Sequence, residues 1–188
     1  GALLEIDRAD ALATLAGQKF LLHACCHGIA DTADPRQSGL VVAHSDDGIP
    51  RFVRASDLAA AGVIPTAAIL SACSMGHAGL TWASNALAAP VADTFRAIGV
   101  ASVASYLAPC LDRAAFAFSL RIHHEISSGS PSLAAAVRET QLWAKYTDES
   151  EIASWVESVA LDHVDGERFD ASSLRRSATW GTLTVTGA

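Results

Sequence analysis

The pattern of apolar and polar residues predicts that the chain opens with a helix leading into a strand. Residues 7–16 place acidic residues among Ala and Leu at helical spacing, and Gly17 follows as a suitable C-terminal cap. The next run, residues 19–26, is mostly apolar and predicts a strand.

The segment after this strand predicts a β-hairpin. Residues 38–58 contain two short runs of strand-forming residues, and Ser56 near the end of the segment is suited to cap a short helix. The residues between the two runs favour turns: Asp46, Asp47, Gly48 and Pro50.

The centre of the chain predicts a strand, a helix and a second strand. Residues 66–73 are apolar on both faces, which is typical of a strand buried in a mostly parallel sheet. The helical pattern of residues 90–99 has one apolar face, formed by Val91, Phe95 and Ile98. Residues 99–107 are again apolar, and this alternation indicates parallel strands joined by a crossover helix.

The second half of the chain predicts helices and one last strand. Asp112 is suited to cap a helix, and Ser130 to start another that ends near Tyr146. A more polar helical pattern continues through residues 150–162. The alternating β-branched residues of 179–187 predict a final strand.

The composition favours one compact domain and excludes some function classes. The chain has 188 residues, 51% of them hydrophobic, which is enough for a substantial core. A net charge of −7 without a Lys/Arg cluster argues against nucleic acid as a partner. Because neither a run of about 18 apolar residues nor a basic-then-apolar N-terminus occurs, we expect no membrane partner and a cytoplasmic location.

Four cysteines are too few and too unevenly spaced for a secreted disulfide framework, so reduced thiols are expected. Cys25, Cys26 and Cys110 are expected to be packing residues, because Cys is among the most buried residue types. Adjacent cysteines do not match the spacing of zinc ligands, and no glycine-rich phosphate loop is present. We therefore expect neither a metal nor a cofactor.

Two of the predicted strands end in reactive residues. One ends in His27 and Gly28, and the other in Cys73 and Gly76. Open α/β sheets bind ligands outside the carboxyl ends of their strands, so the imidazole and the thiol can meet if the strands are neighbours. His27 would then remove the thiol proton of Cys73, and the backbone amides of Gly28 and Cys73 could stabilise an oxyanion.

The other histidines have alternative interpretations. His23 lies inside the predicted strand and is expected to be a hydrogen-bonded core residue. His77 is a weaker alternative to His27 as the base, because it would have to fold back across four positions to reach the thiol. His123 and His124 are expected to lie on a solvated helix surface.

Five blocks along the chain resemble one known family. The blocks are LLHACCHG, Ser38-Gly39-Leu40-Val41, AAILSACSMG, AIGVASVASYLAPCLD and ATWGTLTVTG. In this order they resemble the CHAT domain, a caspase-like (clan CD) family of cysteine peptidases. The blocks run in family order over nearly the whole chain, which makes the resemblance more specific than any single motif.

The resemblance implies a caspase-like three-layer α/β/α sandwich with a mostly parallel central sheet. It implies a cysteine endopeptidase with His27 as base, Cys73 as nucleophile and a protein or peptide as substrate. Family members often carry regulatory modules, and some act in bacterial defence. Residues 1–188 are therefore expected to be a single domain at the C-terminal end of a larger protein, with regulatory parts on the same or another chain.

Three acidic residues could give such a peptidase its specificity. If they line the cleft, Asp31, Asp34 and Asp112 would favour a basic residue before the scissile bond. Each also has an ordinary interpretation, Asp31 and Asp34 as loop acids and Asp112 as a helix cap.

The sequence departs from the family pattern at three points. Members usually begin with strand and helix material before the point that corresponds to Gly1, so part of the sheet is expected to be missing, removed by processing or held on another chain. Ser74-Met75 replaces a common Glu-Thr, and residues 106–109 replace a frequent Trp. Both changes fall on loops expected to border the cleft, so they concern the specificity more than the dyad. Because of Ser74-Met75 and the missing N-terminal part, a catalytically silent interaction or scaffold domain is the alternative.

Overall fold

The structure is a computed structural model that describes residues 13–29, 31, 34, 37–44, 47–71, 91–106, 111–160, 169–175 and 183–187. The strands in these ranges are β1 (Leu21–Ala24), β2 (His27–Ile29), β3 (Gly39–His44), β4 (Pro50–Val53), β5 (Ala67–Leu70), β6 (Ser102–Tyr106) and β7 (Leu183–Gly187). The helices are α1 (Ala55–Ala60), α2 (Val91–Ala97), α3 (Asp112–Ser127), α4 (Leu133–Tyr146) and α5 (Glu149–Val159). Short 3₁₀ turns lie at Ala13–Leu15 and Ala171–Arg175.

The central sheet has the strand order β1-β5-β6-β7. β1, β5 and β6 run parallel, and β7 pairs antiparallel with β6. α2 precedes β6 in the chain and packs Val91 and Phe95 fully inside the protein, which confirms the predicted helical face. The predicted parallel strands and the predicted final strand are therefore confirmed within the described residues.

Helices cover both faces of the central sheet. Ile69 and Ala104 belong to a core cluster with buried residues of α3, α4 and α5. Leu70 and Val103 belong to a second cluster with buried residues of α1 and α2. Because successive side chains of a strand point to opposite faces, the two clusters lie on opposite sides of the sheet. The fold is mixed α/β with a mostly parallel sheet, as the sequence predicts.

A second sheet of β2, β3 and β4 is antiparallel. It contains the predicted hairpin, and Gly48 in the turn has a φ of +75°, a conformation that glycine adopts without strain. The prediction of one strand through residues 19–26 is wrong at its end, because β1 stops at Ala24. His27 instead begins β2 and pairs with Val41 of β3.

The predicted first helix lies largely outside the described residues. Its described end is the 3₁₀ turn before Gly17, whose φ of +75° ends the turn where the sequence predicts.

Two predicted helix starts are wrong in detail. α1 begins before Ser56, and the carboxylate of Asp57 accepts a hydrogen bond from the Arg54 N–H at 2.9 Å. Asp112 is the first residue of α3, so it does not occupy the cap position before the helix. An acid in the first turn still interacts favourably with the helix dipole.

α4 starts two residues later than predicted. Ser132 rather than Ser130 is its cap, since Ser132 has extended backbone angles and its hydroxyl accepts a hydrogen bond from the Ala135 N–H at 3.2 Å. The predicted end of this helix at Tyr146 is confirmed.

Among the described residues, no helix is both long enough and apolar enough to cross a bilayer.

Phe95 provides a test of the packing of α2 against the sheet. Because its side chain is completely buried, we expect Phe95→Ala to lower the free energy of unfolding by about 3–5 kcal/mol. Urea denaturation measures this change. Ile64→Ala, at a position that is 44% exposed, is the matched control and should cost less than about 1 kcal/mol. An equal loss in both variants would contradict the assignment of Phe95 to the core.

Candidate functional site

A cleft of about 470 Å³ opens at the carboxyl ends of β1 and β5. Its walls are the segment after β1, the strand β3 and the first two turns of α3. The polar side chains in its lining are Cys25, Cys26, His27, His44, Ser71, Asp112 and Ser119. The cleft therefore lies where parallel strands of an α/β sheet commonly bind ligands.

The cleft floor forms because β1 and β5 end together. The last pairing of the two strands is Ala24 with Leu70, and the Ser71 N–H then donates to the Ala24 carbonyl at 2.9 Å. Beyond this hydrogen bond the chain after β1 turns into β2 and pairs with β3. The segment after β1 and the end of β5 at Ser71 both border the cleft.

His27 lies in the wall of the cleft formed by the antiparallel sheet. It is exposed and pairs with Val41, while the neighbouring Gly28 pairs with Leu40. This differs from the sequence prediction, in which His27 ends the first strand. The imidazole still lies beside the carboxyl end of β1, since only Cys25 and Cys26 separate it from that strand.

Cys73, the predicted nucleophile, lies outside the described residues, as do His77 and Cys110. The described segment 47–71 ends at Ser71, two positions before Cys73, and Ser71 lines the cleft. The roles of Cys73 and of its backbone amide stay predictions.

The three acidic candidates lie in different surroundings. Asp112 is exposed and lines the cleft. The carboxylate of Asp31 accepts a hydrogen bond from the Asp34 N–H at 2.9 Å, and its own N–H donates to Ser38 Oγ at 2.9 Å. Asp31 and Asp34 thus order a loop and do not contribute to the lining of this cleft.

Four side chains beneath the cleft form a hydrogen-bonded group that we call the histidine cluster: His23, Ser71, Ser119 and His123. His123 Nε2 lies 2.9 Å from His23 Nδ1. His23 Nε2 lies 3.0 Å from Ser71 Oγ, which in turn lies 2.8 Å from Ser119 Oγ. The sulfur of Cys25 is also 3.1 Å from His23 Nε2.

Burial keeps both imidazoles of the histidine cluster uncharged near neutral pH. Desolvation lowers the pKa of His23 from 6.5 to about 4, with a further contribution from the neighbouring His123. Desolvation also lowers the pKa of His123. Because a neutral imidazole carries one N–H, one ring donates to the other, and either direction of donation satisfies the contact between them.

The expectation that His123 is solvated is wrong, whereas that of a hydrogen-bonded His23 is confirmed. His123 is half-buried and faces β1, while His124 is exposed and packs edge-on against Trp155 at 5.6 Å. A sequence signal for this difference does exist. Ser119 and His123 follow Asp112 by seven and eleven positions, which puts all three on one face of a helix.

The two described cysteines are free thiols with raised pKa values. Cys25 is exposed as a residue, which contradicts the expected packing role, but its sulfur faces His23 and this partial desolvation raises its pKa. Cys26 is half-buried and packs against a core cluster, and burial raises its pKa to about 11. Both are protonated at neutral pH and are therefore weak nucleophiles.

Within the described part of the chain, no group of three or more His, Cys, Asp or Glu side chains is arranged to hold a metal ion.

The family model described as the CHAT domain matches residues 6–188. No curated protein matches the chain.

His23 should make stability depend on pH. Its pKa is lower in the folded state than the usual 6.5, so the unfolded chain binds a proton at pH values where the folded chain does not. We expect the free energy of unfolding to fall, by no more than about 3 kcal/mol from this residue, as the pH decreases from 6.5 to about 4.

Urea denaturation across that pH range, in the wild type and in His23→Gln, measures the effect. Glutamine does not titrate, so the difference between the two proteins isolates His23 from the carboxylates. A difference that stays constant with pH would contradict the buried, neutral state of His23.

Proposed function

The chain belongs to the CHAT domain family, and from this premise we propose that it is a cysteine endopeptidase with a dyad of His27 and Cys73. The family is associated with caspase-like cysteine peptidases. We further propose that the central sheet and the helices on its two faces form a caspase-like sandwich, which the two core clusters support.

The observation that carries the proposal is the shared cleft. His27 and Ser71 both line it, at the carboxyl ends of the neighbouring parallel strands β1 and β5. Cys73 follows Ser71 by two residues, so the length of the chain alone keeps its Cα within about 7 Å of the Ser71 Cα. An imidazole and a thiol within reach of one cleft are the groups that thiol-mediated acyl transfer requires.

The described thiols do not compete for the role of nucleophile. Cys25 and Cys26 have raised pKa values, which keeps them protonated. The nearest imidazole to the Cys25 sulfur belongs to His23, whose pKa of about 4 makes it a poor proton acceptor. His27, in contrast, is exposed in the cleft and available to a substrate.

In the proposed reaction, His27 removes the proton from the Cys73 thiol, and the thiolate attacks the carbonyl carbon of a peptide bond. The backbone amides of Gly28 and Cys73 donate to the oxyanion, each worth on the order of 3 kcal/mol when well aligned. The carbon–nitrogen bond breaks as the imidazolium returns its proton to the leaving amine. Water then hydrolyses the thioester, with His27 again acting as the base.

We propose that the substrate is an extended peptide with a basic residue before the cut site. The cleft is open and bordered by the apolar side chains of Val41 and Phe116, which suit the body of a peptide. Asp112 is the acidic residue in its lining and would pair with a Lys or Arg of the substrate. Asp31 and Asp34 carry no part of this proposal, because they order their own loop.

Removal of the thiol tests the dyad. We expect Cys73→Ala to keep the fold and to abolish cleavage of peptides in a broad fluorogenic library. Burial raises the pKa of both described thiols, Cys25 and Cys26, so neither is expected to replace Cys73 as the nucleophile. His27→Ala should lose most of the activity and should also raise the pH at which iodoacetamide alkylates Cys73 toward about 8.5, the pKa of a free thiol.

Cys25→Ala is the matched control and should cleave like the wild type. Persistent cleavage by Cys73→Ala would overturn the assignment of the nucleophile. An ordinary titration of Cys73 in the wild type would favour the silent scaffold domain.

Asp112 should determine the preference for a basic residue. We expect Asp112→Asn to lower kcat/KM for peptides with Lys or Arg before the cut by about tenfold to a hundredfold, since it removes one charge-assisted contact. Peptides with a neutral residue there should change by less than about threefold. Asp93→Asn, at an exposed position of α2, is the control. An equal loss on basic and neutral peptides would contradict the proposed pairing.

A further inference from the structure

We propose that His23 and His123 are positioning residues that fix the two members of the dyad relative to each other. This inference rests on the proposed function. It assigns a role to the histidine cluster that neither the proposed proton transfers nor the packing of the core explains.

The histidine cluster closes a triangle of contacts between three elements. The 2.9 Å contact of His123 with His23 joins α3 to β1. The 3.0 Å contact of His23 with Ser71 joins β1 to the end of β5. The 2.8 Å contact of Ser71 with Ser119 joins β5 back to α3. Each element is thereby held to both of the others by a side-chain hydrogen bond.

Each of these elements leads directly to a group of the proposed site. His27 follows His23 by four residues, and Cys73 follows Ser71 by two. Asp112 begins the helix that carries His123 and Ser119. The hydrogen bond between His23 and Ser71 therefore joins β1 and β5 four residues before the proposed base and two residues before the proposed nucleophile.

The position of this hydrogen bond suits a positioning role better than a general contribution to packing. Ser119 is buried and the other three members are half-buried, so a lost contact leaves a partly desolvated polar atom without its partner. A lost contact would therefore be relieved by movement of the strand ends. Displacement of a reacting group by about 1 Å can reduce a reaction rate about a hundredfold.

The adjacent histidines of α3 provide a matched pair of variants. His123→Phe keeps the size of the ring but removes the nitrogen that contacts His23. His124→Phe makes the same change one residue away, outside the histidine cluster, and keeps the edge-on packing against Trp155. His123→Gln restores a side-chain N–H close to the position of the imidazole Nε2.

We expect His123→Phe to lower kcat by about tenfold to a hundredfold on a fluorogenic peptide with Lys or Arg before the cut, with KM unchanged within about twofold. Iodoacetamide alkylation of Cys73, followed by peptide mass spectrometry, should show its pH midpoint shifted toward about 8.5. His124→Phe should behave like the wild type, and His123→Gln should recover most of the lost rate. A general loss of stability would lower the apparent kcat only through the folded fraction, so each kcat is divided by the folded fraction measured by circular dichroism.

Ser71→Ala tests the same triangle from β5, with a smaller change in volume, in case His123→Phe does not fold. It should also raise the pH midpoint of Cys73 alkylation. If the pH midpoint of Cys73 alkylation lies below about 8.5 in the wild type and stays there in both His123→Phe and Ser71→Ala, this inference is overturned and the proposed function is left intact. An ordinary thiol titration in the wild type would overturn the proposed function and this inference with it.

Discussion

The parallel pairing of β1, β5 and β6 is the constraint on which the rest of the structure depends. Parallel strands need crossover connections, so helices must return along the faces of the sheet, and the two core clusters are the result. The same pairing brings the carboxyl ends of β1 and β5 together. The hydrogen bond from the Ser71 N–H to the Ala24 carbonyl then holds the end of β1 beside the end of β5, where both border the cleft.

Burial shifts the pKa values of four groups at the base of this cleft so that each favours its neutral form. Desolvation favours the neutral form of every ionisable group, so it lowers the pKa of an imidazole and raises that of a thiol. Both effects occur here: the pKa values of His23 and His123 are lowered, and those of Cys25 and Cys26 are raised. These two imidazoles and two thiols are therefore held in their neutral forms, whereas His27 lies exposed in the wall of the cleft.

Much of the fold could be predicted because its signals are local. The apolar run of β5, and Val103, Ala104 and Tyr106 of β6, indicate strands buried on both faces, and the turn residues around Gly48 indicate a hairpin. The end of β1 could not be predicted in this way. The apolar run continues through Cys26, but its pairing with β5 ends at Ala24 and the chain then enters β2. Where a strand leaves its partner is a property of tertiary structure.

The histidine cluster shows why part of the site required the structure. His23 and His123 are separated by 100 positions, and no local pattern links them. The two histidines of α3 also look alike in the sequence, although consecutive helical residues point about 100° apart and only one of them can face β1. The helical phase set by Asp112 and Ser119 identifies His123 as that residue. The polar stripe of Asp112, Ser119 and His123 can be interpreted only when the strands that it faces are known, because the same stripe on an isolated helix would face water.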